Sequence, residues 1–434
     1  MRWLTRLMVC MVVSIIFMAG AAFAAKGGGS RKIVVFREGT SFEDQEQTVT
    51  KSQSKENHHL SLIRGKAVAL PPGGEEQALR DLRDNPAVEG VYDDHAISAD
   101  HVVSITPVPA PVVELFPWGV ERMGIPVVSD LLASGEWSAP MVAILDTGID
   151  QTHPELREHI AGGYNARAGE SLLDYQDYNG HGTHMAGIIA AAWDGQGIKG
   201  AAAHPRLVAV KVLDNTGHGY LSDLIAGLQW VYAHEKIKLV NMSLSFSEGS
   251  PLLQDVIKHL HSAGVILVAS AGNRCGNGAS DDGGDDDGGD TGCDPLLVDP
   301  LNGGVKYPAR YPEVIAVAAT DIYNKVPDYS RSGPEVAIAA PGGSRLNERI
   351  LSTTTSAGYG LGSGTSPAAA HVTGGIAAVL QLAPWLSDKP KVLVDLLQQT
   401  ATDLGYPPER QGAGLIAVDK MVKKLLGPVN DLTR

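Results

Sequence analysis

An α/β fold with a buried parallel sheet is predicted for residues 117–434, preceded by a small ferredoxin-like α+β unit. Fifty glycines and an aromatic content of only 6% suit a compact α/β domain with many tight turns. The main observation is a set of short apolar runs that alternate with helical stretches, as in strands covered on both faces. These runs are Met141 to Leu145, Leu207 to Val212, Leu239 to Met242, Val265 to Ala269, Val314 to Ala318 and Val336 to Ala339.

The first residues have the layout of a secretory signal peptide. Arginines precede an apolar run that ends at Phe23, and Ala22 and Ala24 complete a small-residue cleavage pattern. We expect residues 1–24 to be removed and the mature chain to be secreted or periplasmic, free of the membrane. The alternative is a retained anchor, for which the run is short. The formal net charge of −14 argues against nucleic acid as a partner.

A small unit is expected over residues 25–100, with a β-α-β-β-α-β-like order that is typical of a ferredoxin-like fold. Residues 101–116 hold several prolines and valines without periodicity, so we expect an extended linker there, which is a plausible place for processing. The predicted elements of the small unit are strand Lys32 to Phe36, a polar helical stretch, strand Lys66 to Leu70, helix Glu75 to Asn85 and strand Val88 to Tyr92.

Polar residues at the carboxyl ends of the predicted strands are candidates for a site, because ligands bind beyond these ends in open α/β sheets. Asp146 follows the first apolar run, Asn273 follows the fourth, and His181 begins a helical stretch. Taken singly, each is more simply a turn or structural residue. His181 and His184 could also share a helix face as metal ligands, but the HExxH pattern of a zinc site is missing.

Ser366 stands where a glycine-rich stretch becomes an alanine-rich helix, and the proline after it suits the first helical turn. The simpler interpretation is a helix N-cap. The same position suits a nucleophile, because helix N–H groups stabilise an oxyanion beside the serine oxygen. With Asp146, His181 and Asn273, the chain then holds an orienting carboxylate, a base, an oxyanion donor and a nucleophile.

Four ordered motifs resemble those of the subtilisin-like serine peptidases: DTGID at Asp146, NGHGTHMAG around His181, ASAGN ending at Asn273 and SGTSPAAAHV around Ser366. The resemblance implies a three-layer catalytic domain over residues 117–434 and an inhibitor-like propeptide over residues 25–100. It also implies a secreted endopeptidase that cuts proteins or peptides. Such an enzyme is made as a self-processing zymogen, with its own propeptide as chaperone and inhibitor, and we expect a monomer.

The resemblance also assigns a role to each residue of the site. Ser366 would attack the peptide carbonyl, His181 would take its proton, and Asp146 would hold the imidazole tautomer. Asn273 and the Ser366 N–H would bind the oxyanion. The backbone rail that pairs with an extended substrate is matched by Ser243, Leu244 and Ser245.

A structural calcium site is implied as well. Glu155 stands where the family often has an aspartate that helps to bind calcium. The longer carboxylate can still coordinate, because calcium accepts a flexible shell of oxygen ligands. The rest of this site is expected in the loop that contains Asp194, Gln196 and Ile198.

Cys275 and Cys293 are the cysteines left after removal of the signal peptide, and we expect them to be bridged in an exported chain. They enclose an acidic loop, defined here as residues 281–290, in which aspartates alternate with glycine pairs. This spacing suits calcium but is not that of an EF-hand. A solvated loop without bound metal is the alternative.

Arg274 and Lys306 lie, by the same resemblance, where the side chain before the scissile bond would be bound. Cations there predict a preference for acidic side chains. The alternative is that both face solvent or pair with the acidic loop.

Other functions compete with a peptidase. One is a catalytically inactive subtilase-like protein that binds partners through its acidic loop. Another is an esterase of the α/β-hydrolase type, which requires a G-x-S-x-G elbow and the order serine, acid, histidine. Here the order along the chain is Asp146, His181, Ser366, and the elbow is missing.

Overall fold

The computed structural model describes residues 30–100, 103–133, 138–274, 304–344 and 348–427. The chain divides into two compact units, with the boundary between His95 and Ala96. The predicted signal peptide, both cysteines and the acidic loop lie outside the described residues. Within the ranges given above, no helix is both long and apolar enough to cross a membrane.

The elements of the first unit are β1 (Arg31–Phe36), α1 (Phe42–Lys51), β2 (Lys55–Leu60), β3 (Gly65–Ala69), α2 (Glu75–Arg83) and β4 (Val88–Asp93). The strands form an antiparallel sheet in the order β2-β3-β1-β4. This arrangement confirms the ferredoxin-like prediction. Strand β2 lies at the sheet edge and reads Lys-Glu-Asn-His-His-Leu, so it has no apolar pattern from which it could be predicted.

The second unit begins with β5 (Ala96–Ala99) and β6 (Val103–Val108). Strand β6 pairs antiparallel with a later strand, with Pro107 opposite Gly360. Part of the expected linker is therefore a strand. Proline has no N–H for a sheet ladder, which hides such a strand in the sequence, but it is tolerated at a sheet edge.

The remaining strands are β7 (Met141–Asp146), β8 (Ile160–Asn165), β9 (Arg206–Lys211), β10 (His218–Tyr220), β11 (Ile237–Met242), β12 (Leu244–Ser245), β13 (Ile266–Ser270), β14 (Val314–Thr320), β15 (Val336–Pro341), β16 (Ile350–Thr354) and β17 (Gly358–Ser363). Seven of them form a parallel sheet in the order β15-β14-β13-β11-β7-β9-β8. Every predicted apolar run lies in this sheet, which confirms the predicted α/β fold. Edge strand β8 contains two glycines and has no apolar run.

The helices of the second unit are α3 (Trp118–Arg122), α4 (Ile125–Ala133), α5 (His181–Ala190), α6 (Leu221–Tyr232), α7 (Pro251–Ser262), α8 (Thr365–Leu382), α9 (Pro390–Thr400), α10 (Pro408–Gln411) and α11 (Val418–Leu426). Successive residues of β7 point to opposite faces of the sheet, and nearly all are buried, so both faces are covered. The fold is thus three-layered. Helices α5 and α8 are buried along their whole length, which their small residues permit.

Candidate active site

The candidate catalytic residues all lie where a secondary-structure element begins or ends. Asp146 is the last residue of β7, His181 is the first residue of α5, and Ser366 is the second residue of α8. Asn273 follows the end of β13. All four side chains are buried. The parallel sheet thus gathers them at the carboxyl ends of its strands, as the sequence predicts.

Asp146 and His181 form a buried pair. The imidazole Nδ1 lies 2.8 Å from Oδ1 and 3.0 Å from Oδ2 of the carboxylate. The backbone N–H of Thr147 also donates to Oδ1, at 2.7 Å, so the carboxylate is held in place. Burial lowers the pKa of His181, but the charge of Asp146 and its hydrogen bond raise it, and the net direction is upward.

Asn273 and Ser366 converge on one backbone carbonyl, that of Asp100. The Asn273 amide donates through Nδ2 to this oxygen at 3.0 Å, and the Ser366 hydroxyl donates to the same oxygen. The amide is oriented by Thr365, whose N–H donates to Asn273 Oδ1 at 3.0 Å. A carbonyl is therefore placed between a hydroxyl oxygen and an amide donor.

The carbonyl of Asp100 belongs to a strand that lies in a narrow sheet of the same unit. Strand β5 lies between β10 and β12 and pairs antiparallel with both. Ala99 is opposite Leu244, Ser98 is opposite Ser245, and the N–H of Asp100 donates to the carbonyl of Ser243 at 3.1 Å. The predicted backbone rail therefore pairs with an extended segment of the chain itself.

Two features of the site were not predicted from the sequence. They are strand β10, which pairs with the other edge of β5, and Thr365, which orients the Asn273 amide. Strand β10 flanks β5, and the N–H of Ala99 donates to the carbonyl of Gly217 at 2.8 Å. The available signal is weak, because a pair of glycines around His218 is ordinary in a loop. Thr365 stands directly before Ser366 and could have been examined with it.

The two predicted specificity cations flank the backbone that leads to Asn273. The N–H of Lys306 donates to the carbonyl of Ala271 at 3.0 Å, and its side chain is buried. Arg274 is half-buried, and its guanidinium donates to the hydroxyl of Ser332 at 2.9 Å. A third cation, Arg331, is buried beside them and was not predicted, because it is far from Asn273 in the sequence.

The candidate calcium ligands are brought together in part. Glu155 Oε1 accepts from the Tyr359 hydroxyl at 2.5 Å and from the N–H of Ile198 at 3.3 Å. Its Oε2 is buried without a hydrogen-bond partner among the described residues. Burial raises the pKa of Glu155, and the charges of Asp194 and Glu114 add to this.

This environment fits a cation, because a buried carboxylate oxygen without a hydrogen-bond donor among the described residues lies within the electrostatic influence of Asp194 and Glu114. Gln196 is in the same loop, where its N–H donates to Asp194 Oδ1 at 3.0 Å. Within the part of the chain that the structure describes, no cluster of three or more His, Cys, Asp or Glu residues could hold a metal ion. A calcium ion here would therefore need backbone carbonyls as further ligands.

Comparisons with known proteins agree with this geometry. Residues 138–414 match the subtilase family. Subtilisin E of Bacillus subtilis (strain 168) is 32% identical over 380 residues, covering 86% of this chain and 84% of that protein. The thermostable alkaline protease of Halalkalibacterium halodurans is 32% identical over 416 residues, covering 96% and 98% of the two chains. A subtilisin of Bacillus pumilus is 35% identical over 308 residues, covering 70% and 97%. The chain therefore belongs to the subtilase family and is a serine endopeptidase.

Proposed function

We propose that this endopeptidase works through Asp146, His181 and Ser366 as a catalytic triad, with the Asn273 amide and the Ser366 N–H as oxyanion donors. The observation that carries the proposal is the carbonyl of Asp100, which accepts from both Ser366 Oγ and Asn273 Nδ2 at the end of an extended strand. A peptide carbonyl held between these groups is in the position of a substrate.

The proposed reaction uses these groups in the following order. Ser366 Oγ bonds to the carbonyl carbon while His181 takes the hydroxyl proton, and the oxyanion is stabilised by the Asn273 amide. His181 then donates the proton to the amide nitrogen, and the carbon–nitrogen bond breaks to leave an acyl ester. A water oxygen next bonds to the acyl carbon. His181 takes the water proton and returns it to Ser366 Oγ as the ester bond breaks.

Proteins and peptides are the proposed substrates, bound as an extended strand between β10 and β12. The chain is proposed to be a zymogen, with residues 1–24 as signal peptide, residues 25–100 as propeptide and residues 101–116 as the processing region. Support comes from strand β5, which occupies the space between β10 and β12 that is proposed for substrate, so the uncut chain would block its own site. We propose a secreted or periplasmic monomer, and no observation favours the inactive binding protein.

Calcium is proposed as a structural ion held by Glu155 and Asp194, together with backbone oxygens of the Gln196 to Ile198 loop. Support comes from the buried Oε2 of Glu155, which has no partner among the described residues. The ion would supply positive charge to a carboxylate that burial otherwise disfavours. It takes no part in the reaction.

The first test is Ser366→Ala in the full chain, with Ser262→Ala as control because Ser262 is exposed at the end of α7. We expect Ser366→Ala to lose peptide hydrolysis and fluorophosphonate labelling and to keep residues before 101 attached, as seen by intact mass. The control should be active, labelled and processed. A Ser366→Ala protein that still cuts itself in a protease-free expression system would contradict the proposal.

A further inference from the structure

The side chain of Asp100 is fully buried at the candidate active site. Its Oδ1 accepts from Asn273 Nδ2 at 3.1 Å, and its Oδ2 accepts from the Thr365 hydroxyl at 3.2 Å. A carboxylate that leaves water needs hydrogen bonds and positive charge to compensate for lost hydration. Both carboxylate oxygens have a hydrogen-bond donor here, so this buried position accepts an acidic group.

Two cationic side chains are buried beside the backbone that carries the Asn273 amide. Lys306 and Arg331 are each only 3% exposed. A methyl group built on Gly272 would lie 3.0 Å from Lys306 Cγ and 3.0 Å from Arg331 Cδ, so both cationic side chains pass directly beside this glycine. Arg331 Nε donates to the carbonyl of Asn273 at 3.1 Å. Both side chains are therefore held against the backbone of Gly272 and Asn273, and the Asn273 amide in turn binds Asp100. A buried cation interacts with a carboxylate more strongly than an exposed one.

We call this environment the Asp100 pocket and define it by Asn273, Thr365, Gly272, Lys306 and Arg331. A neutral amide and a hydroxyl would also accept an uncharged polar side chain. Two buried cations add a field that distinguishes a carboxylate from its isosteric amide. Apolar side chains would bring no charge to this field and would leave the donors without a partner, which is costly.

The pairing of β5 identifies the bond that is presented to Ser366. Ala99 is paired with Leu244, and the Asp100 N–H donates to the carbonyl of Ser243, so the rail holds the described segment up to Asp100. Its carbonyl is the one that Ser366 contacts. The bond that follows this carbonyl in the chain joins Asp100 to His101.

We propose that the enzyme cuts its own chain between Asp100 and His101, and that the Asp100 pocket makes it selective for substrates with an acidic side chain before the scissile bond. Lys306 and Arg331 are the residues that set this selectivity. In the self-cleavage, Ser366 Oγ bonds to the Asp100 carbonyl carbon, the proton passes through His181 to the His101 nitrogen, and the carbon–nitrogen bond breaks. Water then releases the Asp100 carboxyl group. The inference rests on the proposed function.

The self-cleavage is tested on the full chain with Asp100→Glu, Asp100→Asn and Asp100→Leu, which leave the catalytic groups unchanged. We expect mature protein beginning at His101 from the unaltered chain and from Asp100→Glu. Asp100→Asn, which differs only in charge, should be processed at least tenfold more slowly, and Asp100→Leu more slowly still. A mature chain that begins elsewhere, or equal processing of Asp100→Asn, overturns the proposal.

The selectivity is tested on mature enzyme with peptides that carry the 96–99 sequence Ala-Ile-Ser-Ala followed by Asp, Glu, Asn, Gln, Leu or Phe. We expect kcat/KM for Asp and Glu to exceed that for Asn and Gln at least tenfold. Arg331→Gln and Lys306→Gln should each lower this ratio at least fivefold. The ratio is taken within one preparation, so it is independent of the fraction that folds. Arg310→Gln removes an exposed neighbouring cation and should leave the ratio within twofold.

The outcomes separate this inference from the proposed function. Fast cleavage after Leu or Phe with slow cleavage after Asp keeps the peptidase and overturns the selectivity. An unchanged ratio in both Arg331→Gln and Lys306→Gln also overturns it and assigns these cations to other acidic groups, such as those of the acidic loop. Failure to cut every peptide, with no fluorophosphonate labelling, contradicts the proposed function itself.

Discussion

His181 connects the chemistry to pH through a single proton. Its imidazole must be neutral to accept the Ser366 proton. Burial lowers its pKa, but the hydrogen bond with Asp146 and the charges of Asp146, Asp177 and Asp100 together raise the pKa above its usual value of 6.5. Activity should therefore be lost as pH falls through this raised pKa and be retained above it. The pH profile of kcat/KM on one peptide measures the pH at which activity is lost on the acid side.

Asp146→Asn is the matching substitution. It removes the charge that raises the pKa of His181 and leaves the burial that lowers it, so the acid limb should move to lower pH. The amide also favours the wrong imidazole tautomer, for which a loss of kcat of about 10⁴-fold is typical of a serine peptidase. Asp174→Asn is the control, since Asp174 is an exposed carboxylate in another loop. A full-rate Asp146→Asn enzyme would remove Asp146 from the mechanism.

The loop after α5 and the turn that carries Glu155 form the element on which calcium is proposed to act. A chelator should lower the thermal midpoint of Ser366→Ala protein by about 3 to 4 °C, as ligand linkage predicts for a chain of this length and an ion at about 100 times its Kd. Glu155→Gln should shrink this difference, because the neutral amide binds the ion less strongly. Calorimetry with and without chelator makes the comparison.

Glu335→Gln is the control for calcium, because Glu335 is a carboxylate on another loop that pairs with Arg310 at the surface. The chelator should lower the thermal midpoint of Glu335→Gln by the same amount as that of the parent protein. If the chelator lowers the thermal midpoint of Glu155→Gln as much as that of the parent, the ion is bound elsewhere, and the acidic loop is the next candidate. A parent that does not respond to chelator has no stabilising calcium at all.

The folded chain as a whole should be sensitive to acid because it buries neutral histidines. Burial, helped by the charge of His181, lowers the pKa of His184 to about 3, and burial lowers that of His371 to about 4. The unfolded chain binds these protons below about 6.5, whereas the folded chain does not. Each histidine therefore removes about 1.4 kcal/mol of stability per pH unit as pH falls from about 6.5 toward its folded pKa.

The measurement is the thermal midpoint of Ser366→Ala protein from pH 7 to pH 4 at constant ionic strength. Adding His371→Gln should lower the midpoint at pH 7, because a buried contact to Pro367 is changed, but should make the decline with acid shallower. His259→Gln, on the exposed side of α7, should leave the slope as in the parent. Parallel curves for His371→Gln and the parent would assign the acid sensitivity to other groups.

Much of the architecture could be predicted from the sequence, because buried strands are continuous apolar runs. The strands that the pattern misses are the edge strands β2, β8 and β6, which contain polar residues, glycines or proline, and the strands β5, β10, β16 and β17 of the three-stranded sheets. An edge strand has one neighbour and often one wet face, so burial constrains its residues less. Prediction is therefore strongest for the buried strands of the parallel sheet and weakest for short, polar or glycine-rich strands.

The candidate catalytic residues were predictable because each stands in a local motif, where a strand or helix end needs particular neighbours. Asp100 was expected as the end of the propeptide and near its cleavage point, but its side-chain contacts with Asn273 and Thr365 were not predictable, and Arg331 was not predicted at all. Asp100 is 266 residues from Ser366, and Arg331 is 58 residues from Asn273, so no spacing in the sequence relates them. Their roles follow from strand pairing and from the packing of two cations beside Gly272. The sequence thus specifies the reacting groups, while selectivity is a property of residues that come together only when the chain has folded.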